Sequence, residues 1–132
     1  MPKFSFSSKT FLASCHPDLQ RLFNRVVETF DCTIVEGRRS KSRQTRLYNI
    51  GKSRVRYPNS RHNKDPSMAV DVAPYLNGKV SWDTRHCLYF AGFVMGTASV
   101  FGLHIRYGGD WNQNFEVITD QTFQDLCHFE LV

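Results

Sequence analysis

Apolar residues recur at three- and four-residue spacing in two long stretches of the chain, which places them on one face of an α-helix. The first stretch runs from Pro17 to Phe30, and the second follows Asp83, a predicted N-cap, and continues to about Val100. A shorter, more polar helix is predicted from Lys41 to Ile50, where Gly51 ends it. The pattern therefore predicts three helices joined by long non-helical segments.

Four short segments carry the alternating or β-branched patterns that are typical of strands. They are Cys32–Glu36, Met68–Ala73, Leu103–Tyr107 and Cys127–Val132. The dipeptide Asn77-Gly78 is a strong hairpin signal, so the second strand is expected to turn back there. Strands and helices in this order predict an α+β fold, a small, mainly antiparallel sheet with helices packed on it.

Length and composition limit the class of protein. A chain of 132 residues is expected to form a single domain, residues 1–132, with room for one proper core. Its 41% hydrophobic and 14% aromatic residues exclude a disordered chain. No apolar run approaches the roughly 18 residues of a membrane span, and the amino terminus lacks the apolar region of a signal peptide. We therefore expect a chain made in the cytoplasm, without membrane insertion.

Cysteine spacing and net charge indicate the redox state and the partner. The four cysteines lack C-x-x-C spacing, which argues against a zinc ribbon or a redox pair and favours reduced thiols in the core. The net charge of +5 and the pI near 9.2 predict an anionic partner, which leaves nucleic acid, phospholipid and an acidic wall polymer open. The basic stretch from Arg38 to Arg61 lacks a recognised nucleic-acid-binding module, so nucleic acid is not expected.

Two predicted strands each carry a polar residue among apolar ones. Asp71 lies between Val70 and Val72, and His128 lies in the final strand. Buried charges are normally paired or bound to a metal. If the two strands are neighbours, their polar faces meet His62 from the preceding loop. Two imidazoles and one carboxylate form a tridentate set for zinc that leaves the fourth position to water.

Asp125 lies three residues before His128 and is a candidate general base, since it could reach a metal-bound water. On these residues alone, alternatives stay open: His128 as a satisfied core histidine, and Asp125 as a solvated residue or a cap. The remaining histidines have no partner at ligand spacing and are expected in the core or on the surface; they are His16, His86 and His104.

Ordered motifs carry a resemblance to a known family. The pattern G-x-R-S-x-x-x-Q-x-x-L-Y covers residues 37–48, S-x-H…A-x-D covers 60–71, and acid-x-x-His covers 125–128. With "GGDW" at 108–111 and the terminal "HFELV", the chain resembles the zinc D,D-carboxypeptidase and L-alanyl-D-glutamate peptidase family, specifically its phage endolysin branch. The resemblance runs from about Thr33 to the carboxyl terminus. It implies a hedgehog/D,D-peptidase-like fold.

The resemblance also implies the chemistry of the site. His62, Asp71 and His128 would hold Zn2+, which neutralises the aspartate in its apolar strand. Asp125 would accept a proton from the attacking water and return it to the leaving amine. Arg39 would stabilise the oxyanion or hold a substrate carboxylate, because its planar fork of donors suits either group.

Further residues are expected at the substrate cleft. Ser60 would hydrogen-bond the substrate or a metal ligand, with a loop-stabilising hydroxyl as the alternative. Asp110 and Trp111 of the "GGDW" segment would line the cleft, and a packing role stays open for Trp111. Glu130 shares the face of His128 and would orient that ligand.

Bacterial peptidoglycan is the partner that the resemblance implies, since the carboxylates of its peptide stem suit a basic cleft. The expected protein is a monomeric phage endolysin that cleaves the L-alanyl-D-glutamate bond. It would need a holin-type pore to pass from the host cytoplasm to the cell wall. The alternatives are a D-alanyl-D-alanine carboxypeptidase on the same fold and a non-catalytic, metal-stabilised binding module.

Overall fold

The computed structural model describes residues 1–132 and contains four α-helices and five β-strands. The helices are α1 (Phe6–Ala13), α2 (Pro17–Thr29), α3 (Lys41–Asn49) and α4 (Thr84–Val100), and the strands are β1 (Cys32–Glu36), β2 (Ala69–Leu76), β3 (Lys79–Val80), β4 (Ile105–Tyr107) and β5 (His128–Leu131). A single 3₁₀ turn, Arg61–Asn63, precedes β2. The predicted α+β class is confirmed.

The strands form one antiparallel sheet in the order β1-β2-β5-β4. β3 pairs with the far end of β2 through the turn at Asn77-Gly78, whose two residues have positive φ, so the predicted hairpin is confirmed. The last strand, β5, lies between β4, the strand that precedes it, and β2, which is far from it in sequence. This register sets Asp71 opposite His128, and Arg106 opposite Glu130.

Phe129 of β5 lies at the centre of the hydrophobic core, which α2 and α4 cover. Its ring centroid is 5.5 Å from that of Phe23 in α2 and 6.2 Å from that of Phe90 in α4. Full burial of a side chain of this kind stabilises the fold by roughly 1.5–3 kcal/mol. Because alternate residues of a strand face opposite sides, the packing of Phe129 turns His128 and Glu130 away from this core.

The amino-terminal helix α1 is a correction to the predicted elements. Ser5 caps it by accepting a hydrogen bond from the backbone N–H of Ser8 at 3.2 Å, but only two of its eight residues are buried. Without a continuous apolar face, the sequence pattern does not indicate it. Gly37 lies so close to α1 that a Cβ there would collide with the Phe11 carbonyl and the Ser14 hydroxyl. α1 therefore supports the segment in which the first motif begins.

No helix of the protein combines the length and the apolar character that a bilayer-spanning helix requires. All four cysteines are free, as predicted, but Cys127 is only partly buried and does not lie in the core. Three of them are buried: Cys15, Cys32 and Cys87.

Candidate metal centre and substrate cleft

Three side chains converge from two adjacent strands and the turn that precedes them. Asp71 in β2 and His128 in β5 are register partners, and His62 comes from the 3₁₀ turn before β2. Asp71 Oδ1 lies 3.2 Å from His62 Nε2 and 3.3 Å from His128 Nδ1. All three residues are buried, and their possible ligand atoms lie within 4.8 Å of one another. The structure thus brings together the three residues that the sequence predicts as ligands.

Hydrogen bonds on the outer side of each imidazole determine which ring nitrogen carries the proton. His62 Nδ1 lies 2.8 Å from the Gly37 carbonyl, and His128 Nε2 lies 2.8 Å from Glu130 Oε1. Since both oxygens can only accept, each of these nitrogens donates a hydrogen in the neutral imidazole. The other nitrogen of each ring then turns a lone pair toward Asp71.

These donor atoms fit a zinc ion. Two imidazole lone pairs and one carboxylate oxygen that face each other without hydrogens between them repel, and a cation removes that repulsion. Two nitrogens and one oxygen are a common protein ligand set for catalytic zinc. Metal-binding histidines usually donate their second N–H to a carbonyl or a carboxylate, which is the arrangement of His62 and His128.

Electrostatics keep Asp71 ionised despite its burial. Burial alone would raise the pKa of its carboxyl, but the positive charge and hydrogen bonds of protonated His62 and His128 outweigh burial and hold that pKa below its usual range; when the imidazoles are neutral, a bound cation would supply that charge instead. Arg39 Nη2 also lies 3.6 Å from the second carboxylate oxygen, Oδ2. The aspartate therefore presents a charged oxygen to the point where the two imidazoles meet.

Asp125 lies beside this triad at the surface of the cleft. Its Oδ2 is 3.8 Å from His128 Nδ1, and its side chain is 34% exposed, so water can reach it. Burial raises the pKa of the Asp125 carboxyl, the charge of Asp71 raises it further, and His128 opposes both. A carboxylate whose pKa lies above its usual value is a better proton acceptor at neutral pH.

Gly108 positions Asp125 through the backbone. The Asp125 N–H donates to the Gly108 carbonyl at 3.1 Å, and the Gly108 N–H donates to the His128 carbonyl at 2.9 Å. A Cβ on Gly108 would collide with the Asp125 carbonyl. The first glycine of "GGDW" therefore permits close contact between the loop after β4 and the segment that carries the base.

Arg39 lies against the triad, and both of its Nη atoms are hydrogen-bonded to the protein. Nη2 donates to Glu36 at 2.8 Å, and Nη1 donates to the Gln44 side-chain oxygen at 2.9 Å. These partners occupy two of the five guanidinium hydrogens. The arginine both lines the cleft and supports Asp71 from behind.

Sequence reasoning missed the partners that hold Glu130. Arg106, its register partner on β4, donates to Glu130 Oε2 from Nη2 at 2.7 Å and from Nε at 3.1 Å. Arg61 Nε lies 3.8 Å from the same oxygen. Burial would raise the pKa of Glu130, but the hydrogen bonds from His128 and Arg106 hold it below its usual range. The only sequence signal is the alternation of β4, which does not reveal the register.

Ser60 and Trp111 both lie at the cleft. The Ser60 hydroxyl oxygen accepts the backbone N–H of His62 at 3.2 Å, so it shapes the turn that carries this ligand and keeps its own hydrogen to donate. Trp111 lies 5.3 Å from the His128 ring, centroid to centroid, and its indole N–H donates to the Phe123 carbonyl at 2.9 Å. Trp111 is thus a firmly held wall beside His128.

Asp110 does not lie where the sequence predicts. Its carboxylate accepts the backbone N–H groups of Asn114 and Phe115 at 3.2 and 2.9 Å and so closes its own loop. It lines a second, mainly apolar cavity of about 320 Å³, which contains none of the three triad residues. Aspartates in turns commonly bond to their own backbone, and the "GGDW" pattern alone does not separate that role from a place in the cleft.

The cleft that contains the triad residues His62 and His128 has a volume of about 400 Å³, within the range of small-ligand sites. Its lining is mainly polar and cationic. The lining residues are Arg39, Lys52, Ser53, Arg54, Val55, Asn59, Ser60, Arg61, His62, Arg106, Trp111, Phe123, Asp125, His128 and Glu130.

Comparisons with known proteins identify the family of the chain. The phage L-alanyl-D-glutamate peptidase family model matches residues 1–132, which extends the match beyond the motifs to α1. The chain is 32% identical over 136 residues to the L-alanyl-D-glutamate peptidase of Escherichia phage T5, with 98% of each protein covered. The Serratia marcescens L-Ala D-Glu endopeptidase ChiX has a similar structure, with a TM-score of 0.78, 28% identity, and 98% of this chain and 90% of that one covered. The chain belongs to the phage L-alanyl-D-glutamate peptidase family.

Proposed function

We propose that the protein is a zinc-dependent endopeptidase that hydrolyses the L-alanyl-D-glutamate bond in the peptide stem of bacterial peptidoglycan. The observation that carries the proposal is the convergence of His62 Nε2, Asp71 Oδ1 and His128 Nδ1, with the carboxylate of Asp125 beside them. The names of the phage T5 and Serratia marcescens relatives support this bond over the D-alanyl-D-alanine bond.

His62, Asp71 and His128 would hold the zinc ion, and their outer hydrogen bonds to Gly37 and Glu130 would keep both imidazoles in the ligating tautomer. When bound, zinc supplies a Lewis acid that polarises the peptide carbonyl and makes water acidic enough to attack at neutral pH. The burial of the triad excludes bulk water from the ligand atoms. This strengthens the electrostatic contribution of every group in the site.

Asp125 is the proposed general base. Its carboxylate accepts a proton as water attacks the carbonyl carbon of L-alanine, and it returns that proton to the amine of D-glutamate as the C–N bond breaks. The distance of 3.8 Å from Asp125 Oδ2 to His128 Nδ1 supports this role, since it places the carboxylate next to the ligand atoms without making it one of the triad.

Arg39 and Ser60 are the proposed donors to the substrate. Arg39 lines the cleft, and each of its Nη atoms keeps one hydrogen beyond those given to Glu36 and Gln44, which we assign to the developing oxyanion. Ser60 has a hydroxyl hydrogen left after accepting from His62. Trp111 is the proposed wall against which the peptide stem packs. Asp110, turned onto its own loop, has no proposed role in the cleft.

The biological setting follows from the family. We infer that residues 1–132 act as a single, monomeric catalytic domain of a phage endolysin. The enzyme is made in the host cytoplasm and reaches the cell wall through a holin-type pore. The net charge of +5 favours association with the anionic wall.

Metal analysis combined with a lysis assay tests the proposal. The purified protein should contain about one zinc per chain, because its residues supply three of the four positions of a catalytic site. Chelation should abolish clearing of isolated cell walls, and added zinc should restore it. Clearing that persists at full rate in a metal-free sample would refute the proposed zinc chemistry.

A further inference from the structure

The cationic side chains of the cleft differ in whether the protein already neutralises them. Arg39 is paired with Glu36, while Arg61 and Arg106 both contact Glu130. Arg54 is the one arginine of the cleft that makes no ion pair and no hydrogen bond through its side chain to the protein. All of its guanidinium N–H groups are therefore available to bind an external anion.

An aromatic surface holds Arg54 in place. Its Cζ lies 4.7 Å from the centroid of the Phe123 ring, a cation–π distance. Phe123 is stacked on Trp111, with centroids 6.2 Å apart and ring planes at 14°. Trp111 in turn contacts the His128 ring at 5.3 Å. A continuous column of rings therefore connects Arg54 to a proposed metal ligand along one wall of the cleft.

The position of Arg54 on a ring face leaves its hydrogen-bond donors available. A guanidinium that stacks on an aromatic face keeps its five N–H groups in its own plane, and two parallel N–H groups match the oxygens of a carboxylate. Lys52 adds positive charge to the same wall, but it has no planar fork and no ring beneath it. The ligand chemistry that this arrangement favours is a carboxylate.

The proposed substrate carries such a group next to the bond that is cut. Glutamate has two carboxyl groups, and a peptide stem that continues through one of them leaves the other free. We propose that Arg54 binds the free carboxylate of the D-glutamate residue and so selects stems in which this group is not amidated. This inference rests on the proposed function, because it assumes that D-glutamate lies on the amine side of the cut bond.

Arg56 provides a matched control two residues away. Its Cζ lies 4.8 Å from the centroid of the Tyr48 ring, so it has the same charge and the same type of cation–π contact. It does not line the cleft, but a separate surface pocket together with Tyr48. Both arginines are exposed on the same loop, so their substitution changes net charge and loop composition equally.

The test uses two synthetic stem peptides that contain the L-alanyl-D-glutamate bond and differ only in a free carboxylate or a carboxamide on D-glutamate. The wild type should cleave the carboxylate peptide with the higher kcat/KM. Arg54→Gln should lower kcat/KM for that peptide by about 10- to 100-fold, as expected for the loss of a charge-assisted hydrogen bond. The loss should lie mainly in KM, with little change for the carboxamide peptide. Arg56→Gln should match the wild type on both peptides.

The outcomes separate this inference from the function on which it rests. Equal losses on the two peptides in Arg54→Gln, or a wild type that does not discriminate between them, would overturn the role of Arg54 while leaving the endopeptidase intact. A wild type that cuts neither peptide at this bond would overturn the proposed function, and this inference with it. Arg54→Lys, which keeps the charge without the fork, should fall between the wild type and Arg54→Gln. Zinc content and melting temperature of each variant check that the fold is kept.

Discussion

Replacing Glu130 with Gln tests how the structure holds a metal ligand. Glu130 is 5% exposed, and it accepts from His128 through one oxygen at 2.8 Å and from Arg106 through the other at 2.7 and 3.1 Å. Glutamine has nearly the same size but no charge. The substitution therefore weakens the hydrogen bond that orients His128 and leaves the Arg106 guanidinium without its counter-ion.

The expected loss of zinc affinity follows from the role of Glu130. Removal of a carboxylate that orients a metal-binding histidine typically costs about 10- to 100-fold in metal affinity. This factor corresponds to about 1.4–2.8 kcal/mol. In excess zinc, the free energy of unfolding falls by the same amount, because the stabilisation depends on the logarithm of the dissociation constant. For a domain of this size the zinc-dependent rise in melting temperature should shrink by roughly 5–10 °C.

Competition with a chromophoric chelator measures the affinity, and melting curves with and without zinc measure the stabilisation. Glu28→Gln is the control, since Glu28 is a half-exposed residue of α2 whose only ion pair is with Arg25 at 3.6 Å. It removes the same charge outside the cleft and should leave zinc affinity unchanged. If Glu130→Gln binds zinc as tightly as the wild type, the carboxylate does not orient His128 and the reasoning is wrong.

Three further predictions concern the base, the loop and the thiols. Asp125→Asn should retain its zinc while hydrolysis falls by roughly 10²- to 10⁴-fold; an unchanged rate would place the base elsewhere. Gly108→Ala should lower the free energy of unfolding by about 1–3 kcal/mol in urea titrations, because its Cβ meets the Asp125 carbonyl. Gly96→Ala is the control within α4, where the added Cβ meets no atom within 4 Å outside its chain neighbours and the backbone of its own helix, and equal losses for both variants would contradict the clash. Burial raises the pKa of the Cys15 thiol to about 12 and raises that of Cys32 as well, so neither should react with a thiol reagent at pH 8 until the protein unfolds. Rapid modification of either in the folded protein would show that its burial is wrong.

The spacing of apolar residues predicted the helices that are buried on one face. In α2 and α4 the apolar residues face the core at helical spacing, and the Asn77-Gly78 turn has the positive φ values that its residues favour. α1 has no such signal, because its buried residues are only Ser8 and Leu12. Its place is determined by contact with β1 and Gly37, and such contacts between distant segments do not appear in a local pattern.

Polar residues within apolar strands indicated the triad. The groups that hydrogen-bond to the triad could not be predicted, because they depend on the pairing of strands and on backbone carbonyls. Asp71 and His128 stand out in the sequence because a buried charge needs a partner. Nothing in the sequence distinguishes Arg106 from other strand residues. Only the pairing of β4 with β5 places it opposite Glu130. The Gly37 carbonyl that orients His62 is a backbone group, which residue identity does not report.

The bond that the protein cuts is the central claim, and labelling of new amino termini tests it most directly. Purified peptidoglycan is digested to completion, the amino groups that appear are labelled, and the products are identified by mass spectrometry. We predict stem peptides with a labelled amino-terminal D-glutamate, and glycan fragments that retain L-alanine. Release of free D-alanine as the sole product, or no new amino terminus, would contradict the assignment of an L-alanyl-D-glutamate endopeptidase.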